Sequence, residues 1–228
     1  MIYNKKEFYG GFGLLVGFFL VLFFMFQPMF NGHNSMEYLD NLYNSISKGS
    51  VNYVESIRED TKPFADKDVT MKLTYATEAE AAQSALLFSN AGATASVAGK
   101  ELEVSGSLGA MLGAALDDSY SMYHNDAAAL ESKYGIEGRR ALFNWWTSLK
   151  LMDKSLKNQE AFAAAKVTGT VQGKAVEAAY NYFGVEPTSI MDNVGLVIFS
   201  LAFYVFYTLW YGFAILFVFE GWGLRLSH

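Results

Sequence analysis

Three histidines and 23 acidic side chains are the raw material for metal or acid–base chemistry in this chain. Only one histidine has company of the right kind. His124 lies in the run DDSYSMYHND, near Asp117, Asp118 and Asp126. On a helix it shares a face with Tyr120 and Asp117, four and seven positions back. A histidine–carboxylate site for a cation has that form. Zinc sites, however, gather three or four convergent ligands, and the run reads more simply as the solvated end of a helix. His33 stands just past an apolar run and His228 is the last residue given. Asp66-Lys67-Asp68 lacks the spacing and glycine of a calcium loop.

Other chemistries fail on residue type. The chain has no cysteine, which removes disulfides, thiolate metal sites, covalent haem attachment and a cysteine nucleophile together. There is no nucleophile elbow, phosphate-cradling loop or dinucleotide fingerprint. Gly106, Gly109 and Gly113 do not follow the strand-then-GxGxxG order, and Leu108, Met111, Leu112 and Leu116 among them indicate a helix. Glycines at that spacing predict close approach of another element. Carboxylate pairs need only meet in space, and nothing singles out a pair. The expectation is a protein without catalytic residues, cofactor or bound metal, and not an enzyme.

The apolar segments say more. Phe8 to Met36 and Asn193 to Phe219 contain no Asp, Glu, Lys or Arg. Each exceeds the roughly 20 residues that a helix needs to cross a bilayer. The first follows Lys5 and Lys6, as a signal peptide would, but its exit, QPMFNGHNS, has no small-x-small cleavage site. It is expected to remain as an anchor. Gly10, Gly13 and Gly17 form one stripe on it at i, i+3 and i+7, where a second helix can approach closely. In the second segment Ser200, Tyr204, Tyr207, Thr208 and Tyr211 follow i, i+4, i+7/8 and i+11, again one helical face. Trp222, Trp210 and Tyr211 suit a water interface. Tyr204 and Tyr207 fall near mid-membrane, where a phenol without a hydrogen-bond partner is costly. The stripe is therefore expected to face protein, and Gln27 is the main acceptor that the first segment offers.

Between these segments lie about 160 residues, enough to bury a core without disulfides. Asn34 with Glu37 reads as a helix start, followed by Leu39, Leu42, Tyr43 and Ile46 at helical spacing. Gly49–Ser50 is a break, and a short helix through Val54 and Ile57 ends at Pro63. VTMKLTY alternates as a half-buried strand. Thr77 and Glu80 form a capping box before a helix that Gly92 closes. Two alternating runs flank Gly99-Lys100, a type II′ hairpin signal. From Leu108 to about Phe183 the pattern is helical, with breaks at Gly135, Gly138, Thr168–Gly169 and Gly184. One helix presents Leu142, Trp145, Trp146, Leu149, Met152 and Leu156. Gly184 to Ser189 forms a hinge.

The predicted organisation is a cytoplasmic tail 1–8, a transmembrane helix 9–30, an extracytoplasmic α+β domain 31–189, a second transmembrane helix 193–219 and a cytoplasmic tail 220–228. Lys5, Lys6 and Arg225 flank the spans and place both termini in the cytoplasm of a cell (inner) membrane, with the main domain periplasmic or extracellular. The net charge of −6 argues against nucleic acid as a partner. The expected partners are the bilayer and other integral membrane subunits. The sequence thus predicts a non-catalytic accessory subunit of a membrane complex. The alternatives are an extracytoplasmic sensor or ligand-binding module, which the nine residues after Phe219 would leave without an output domain, and a subunit lining a quinone or lipid site.

This topology is directly measurable. A reporter active only outside the cytoplasm should work when inserted after Gly99 and fail when fused after Trp222. Activity at the second position would reverse the orientation.

Overall fold

The structure is a computed structural model that describes residues 2–50 and 54–224. It divides into two units: residues 1–50 with 186–228, and residues 51–185. The second unit is α+β, as the pattern predicts. Its elements are α3 (Val54–Thr61), β1 (Asp68–Thr74), α4 (Glu78–Asn90), β2 (Thr94–Ala98), β3 (Glu101–Ser107), α5 (Leu108–Tyr123), α6 (Ala127–Tyr134), α7 (Gly138–Asn158), α8 (Phe162–Val171) and α9 (Glu177–Tyr182).

The three strands form an antiparallel sheet in the order β1-β3-β2. Alternation decides which side is buried. Val69, Met71 and Leu73 of β1 and Leu102 and Val104 of β3 face the core, and the residues between them face solvent. On the wet side Thr70 and Ser105 sit directly opposite, their hydroxyls 3.0 Å apart. The β2–β3 hairpin turns at Gly99, whose φ is +61° while Lys100 keeps a negative φ, the pattern of a type II′ turn. Thr77 caps α4 by accepting from the Glu80 N–H at 3.2 Å, half of the expected box.

Helices cover the apolar face of the sheet. The amphipathic α7 packs against β1, with Leu142, Trp145, Leu149, Met152 and Leu156 fully buried. Each such side chain contributes about 1.5–3 kcal/mol relative to exposure. Gly109 of α5 does what the sequence suggests for one glycine of its group: a Cβ there would stand 2.5 Å from the Cα of Ala65.

Two expected helix breaks differ. Gly138 is the first residue of α7, not a gap, and it rests against Ala127. Thr168–Gly169 lies inside α8, where the buried Thr168 hydroxyl bonds the Ala164 carbonyl at 2.8 Å. Burial of that face holds the helix together against weak local propensity. Gly135 ends α6 in the left-handed region, as expected, and two further interruptions come at Asn125 and Glu160, both with positive φ.

The most tightly bound polar group in this unit is Asp118, its side chain 4% exposed. Its carboxylate accepts from the Tyr134 hydroxyl at 2.5 Å, the Trp145 indole N–H at 2.6 Å and the Lys133 ammonium at 2.8 Å. Burial, and then the carboxylate itself, push the Tyr134 phenol well above its ordinary pKa, so it stays a donor. One side chain thereby fixes α5, α6 and α7 to each other.

Residues 51–185, expressed alone, should unfold in one cooperative thermal transition. Asp118→Ala should lower its stability by about 3–5 kcal/mol, because three buried or half-buried donors lose their acceptor. Chemical denaturation measures this, and a loss below about 1 kcal/mol would show the cluster to be peripheral.

Candidate functional site

The first unit holds the candidate interface residues. It consists of α1 (Lys5–Met25), α2 (Ser35–Ser50) and α10 (Val194–Trp222), the last preceded by a 3₁₀ turn at Ile190–Asn193. Both α1 and the segment ending in α10 are long and apolar enough to cross a membrane. Asn4 caps α1, so Lys5, Lys6 and Glu7 form its first turn. After α1 the chain reverses at Asn31-Gly32, both with positive φ, between the bridged Phe30 and His33. Asn34 and Glu37 then make the expected reciprocal cap of α2, at 2.9 and 3.2 Å.

α1 and α10 pack antiparallel, and their contacts repeat every seven residues. Asn4, Gly11 and Phe18 meet Gly221, Ala214 and Tyr207 in turn, and Met25 and Ser200, one further step of seven along each helix, line the same cavity. Seven residues fall just short of two helical turns, so such a seam stays on one side of each helix. Gly11 lets the two backbones come close: a Cβ there would lie 2.7 Å from the backbone N of Val218 and 2.9 Å from the carbonyl of Ala214. Gly221 plays the reciprocal part against Phe8, and the two N–H groups of Tyr3 and Asn4 donate to its carbonyl at 2.9 and 3.0 Å. Donors left free at the start of one helix thus meet an acceptor left free at the end of the other. Between these ends Phe18 stacks on Tyr207 with centroids 4.2 Å apart and planes 19° from parallel.

The residues singled out in sequence separate into two groups on this frame. Gly17 touches the Trp210 ring, at 3.1 Å from a notional Cβ, whereas Gly10 and Gly13 have nothing within 4 Å. Ser200 is buried; its hydroxyl donates to the Val197 carbonyl at 2.9 Å and takes the Tyr43 hydroxyl of α2 at 2.5 Å. Tyr207 faces α1, but its hydroxyl is buried without a partner among the described residues. Tyr211 leans its ring on Phe18 from the flank and stays partly exposed. Thr208 returns its hydroxyl to its own helix, on the Tyr204 carbonyl at 2.7 Å. Tyr204 points outward and is 69% exposed. The row is divided because the seam follows a 3.5-residue period, while i, i+4, i+8 drifts off it. Gln27 is not an acceptor for the row; its amide bonds the Phe23 carbonyl.

Gly11 and Gly221 carry the pairing without having been marked in the sequence, and Trp210, expected at a water interface, packs against α1 instead. The Trp210 indole donates to the Leu14 carbonyl at 3.0 Å. The signal available for the glycines was the seven-residue spacing of Gly221 from Ala214, matched by that of Gly11 from Phe18. The α2 helix adds a third wall. Thr188 donates its N–H to the Ser45 carbonyl at 3.1 Å, and Gly49 lets the Thr188 carbonyl come close. Thr188, read as part of a hinge, is therefore tied to α2. Beside them Lys48 is buried; burial lowers its pKa, and the neighbouring charge of Glu186 opposes that. An apolar cavity of about 160 Å³ lies where the end of α1, the start of α2 and α10 meet, lined by Phe30, Tyr38, Phe199, Ser200 and Phe203 among others.

The acidic group around His124 disperses. Asp117 pairs with Arg58 at 2.8 Å, Asp118 is the buried node described above, and Asp126 caps α6. His124 caps the end of α5 against the Tyr120 ring. Among the described residues no three His, Asp or Glu side chains converge. His228 and Arg225 lie outside the described residues. Compared with protein-family models, curated proteins and solved structures, the chain gives no match.

The seam and the open glycine face respond differently to bulk. Cysteines placed at Phe18 and Tyr207, in a chain that has none, should cross-link within one molecule. Adding Gly11→Leu should cut that yield severalfold, and adding Gly13→Leu should leave it unchanged. Equal yields in all three would mean that Gly11 does not set the pairing.

Proposed function

We propose that the protein is a non-catalytic subunit of a larger integral membrane complex. It docks through the faces of α1 and α10 that their own pairing leaves open. In this reading both helices span the cell membrane with the termini in the cytoplasm, and the α+β unit is periplasmic or extracellular. The observation that carries the reading is Tyr204. It projects outward near the middle of an apolar helix, and its hydroxyl has no partner among the described residues. A phenol in that position is stabilised by a neighbouring protein chain and not by lipid. Gly10 and Gly13 support the same conclusion from α1. They leave a strip of bare backbone on the side away from α10, where another helix can gain van der Waals contact.

A second reading has its own observation. The cavity of about 160 Å³ between α1, α2 and α10 is almost wholly apolar and ends at the Ser200–Tyr43 hydroxyl pair. Those are the surroundings suited to the tail and polar head of a quinone or a lipid.

Recovery of co-purifying chains after mild detergent extraction tests the proposal. Tyr204→Phe should weaken association about two- to threefold, the loss of one interhelical hydrogen bond worth on the order of 0.6 kcal/mol. Gly13→Leu should do worse by steric exclusion. Both variants should insert normally and keep the α1–α10 cross-link. Unchanged recovery in both would remove these faces as the interface.

A further inference from the structure

The outer side of the α+β unit, where α9 lies along α7, carries a cleft with a defined chemistry. The helix from Phe162 to Tyr182 is continuous but contains a π-helical turn at Gln172–Val176. One extra residue in a helical turn rotates everything after it by about 100°. Before the turn Ala164, Thr168 and Val171 face the core; after it Ala175, Val176 and Ala179 do. The rotation sets Glu177, Tyr180 and Asn181 opposite Phe143 and Trp146 of α7. Together these five line a cleft of about 250 Å³. An adjoining depression of about 360 Å³ shares Phe143 and Tyr180 and adds Glu137, Arg139 and Arg140.

The cleft is held in shape before any ligand arrives. The Trp146 indole donates to the Glu177 carboxylate at 3.0 Å. The Phe143 and Trp146 rings lie within 23° of parallel, with centroids 6.3 Å apart. A cation already sits over each ring: Arg139 on Tyr180 at 4.8 Å, Lys150 on Trp146 at 5.0 Å and Arg140 on Phe143 at 5.3 Å. Arg140 is itself fixed by Gln83 at 3.1 Å.

These contents select a ligand class by elimination. A cationic guest would be repelled by the three resident cations. An anion would meet the Glu177 carboxylate in the wall. A wholly apolar guest would strip water from Glu177 and Asn181 without replacing its hydrogen bonds. What remains is a neutral molecule with an apolar face and a polar rim. We infer that the α7–α9 cleft binds an uncharged pyranose, its C–H face stacked on Trp146 and Tyr180 and its hydroxyls bonded by Glu177 and Asn181. The adjoining depression takes the next ring of an oligosaccharide, with Arg139 at its edge.

The inference is independent of the proposed membrane docking, since it rests on different residues. The test uses the full chain in a non-glycosidic detergent, because a sugar-headed detergent would occupy the site. Calorimetric titration with three uncharged tetrasaccharides (maltotetraose, cellotetraose and tetra-N-acetylchitotetraose) should give saturable heat with at least one. Trp146→Ala should abolish that heat, and Asn181→Ala, at an exposed position, should weaken binding severalfold while leaving the thermal midpoint unchanged. No saturable heat with any of the three would overturn the inference. So would binding that both variants retain, or tetramethylammonium displacing no sugar yet itself binding in a Trp146-dependent way.

Discussion

The carboxylate of Asp118 has left water almost completely, and the arrangement of three helices follows from what it then requires. A buried charge is tolerable only with donors around it, and here one comes from the start of α7's buried face, two from the end of α6. The apolar residues of α5, α6 and α7 pack well in many arrangements. Only a narrow set of them brings an indole, a phenol and an ammonium to one carboxylate. The hydrophobic surface supplies most of the stabilisation, and the polar node selects among its solutions.

The same constraint governs the helix pair, with fewer resources. Thr208 and Ser200 solve it by returning a hydroxyl to their own backbone, and Trp210 by reaching a carbonyl of α1. Tyr207 stacks well on Phe18 but leaves its hydroxyl buried and unmatched among the described residues. Tyr204 avoids the pair altogether. The hairpin is therefore complete in its packing and incomplete in its hydrogen bonding. That imbalance is the physical basis for proposing a partner.

Absence of a side chain is used in both units for close approach. Gly11 and Gly221 bring α1 and α10 together, and Gly109 seats α5 against Ala65. At each, a methyl group would collide with backbone, which cannot swing away as the tip of a side chain can. Gly10 and Gly13 have the same composition and no such neighbour.

Local periodicity made much of this legible beforehand. The alternation of Val69, Met71 and Leu73, the Thr77 cap, the Gly99 turn and the apolar face of α7 are near-neighbour effects, and each is found where its residues indicate. So is the α+β character of the unit and the presence of two long apolar helices. Partner choice was not legible. Whether Gly10 or Gly11 meets α10 depends on a rotation of about 100° between adjacent helix positions, which no local preference sets. The π-turn that aims Glu177 and Tyr180 at Trp146 is likewise invisible in QGKAV, and only the packing of Ala175 and Val176 into the core produces it. Asp117 and Asp118 are neighbours of one type, yet one pairs with Arg58 at the surface and the other is the buried centre of three helices. Residue type and spacing determined which elements form and which of their faces are apolar. Tertiary structure decided which polar groups meet, because those distances depend on how elements far apart in the chain are rotated and placed against each other.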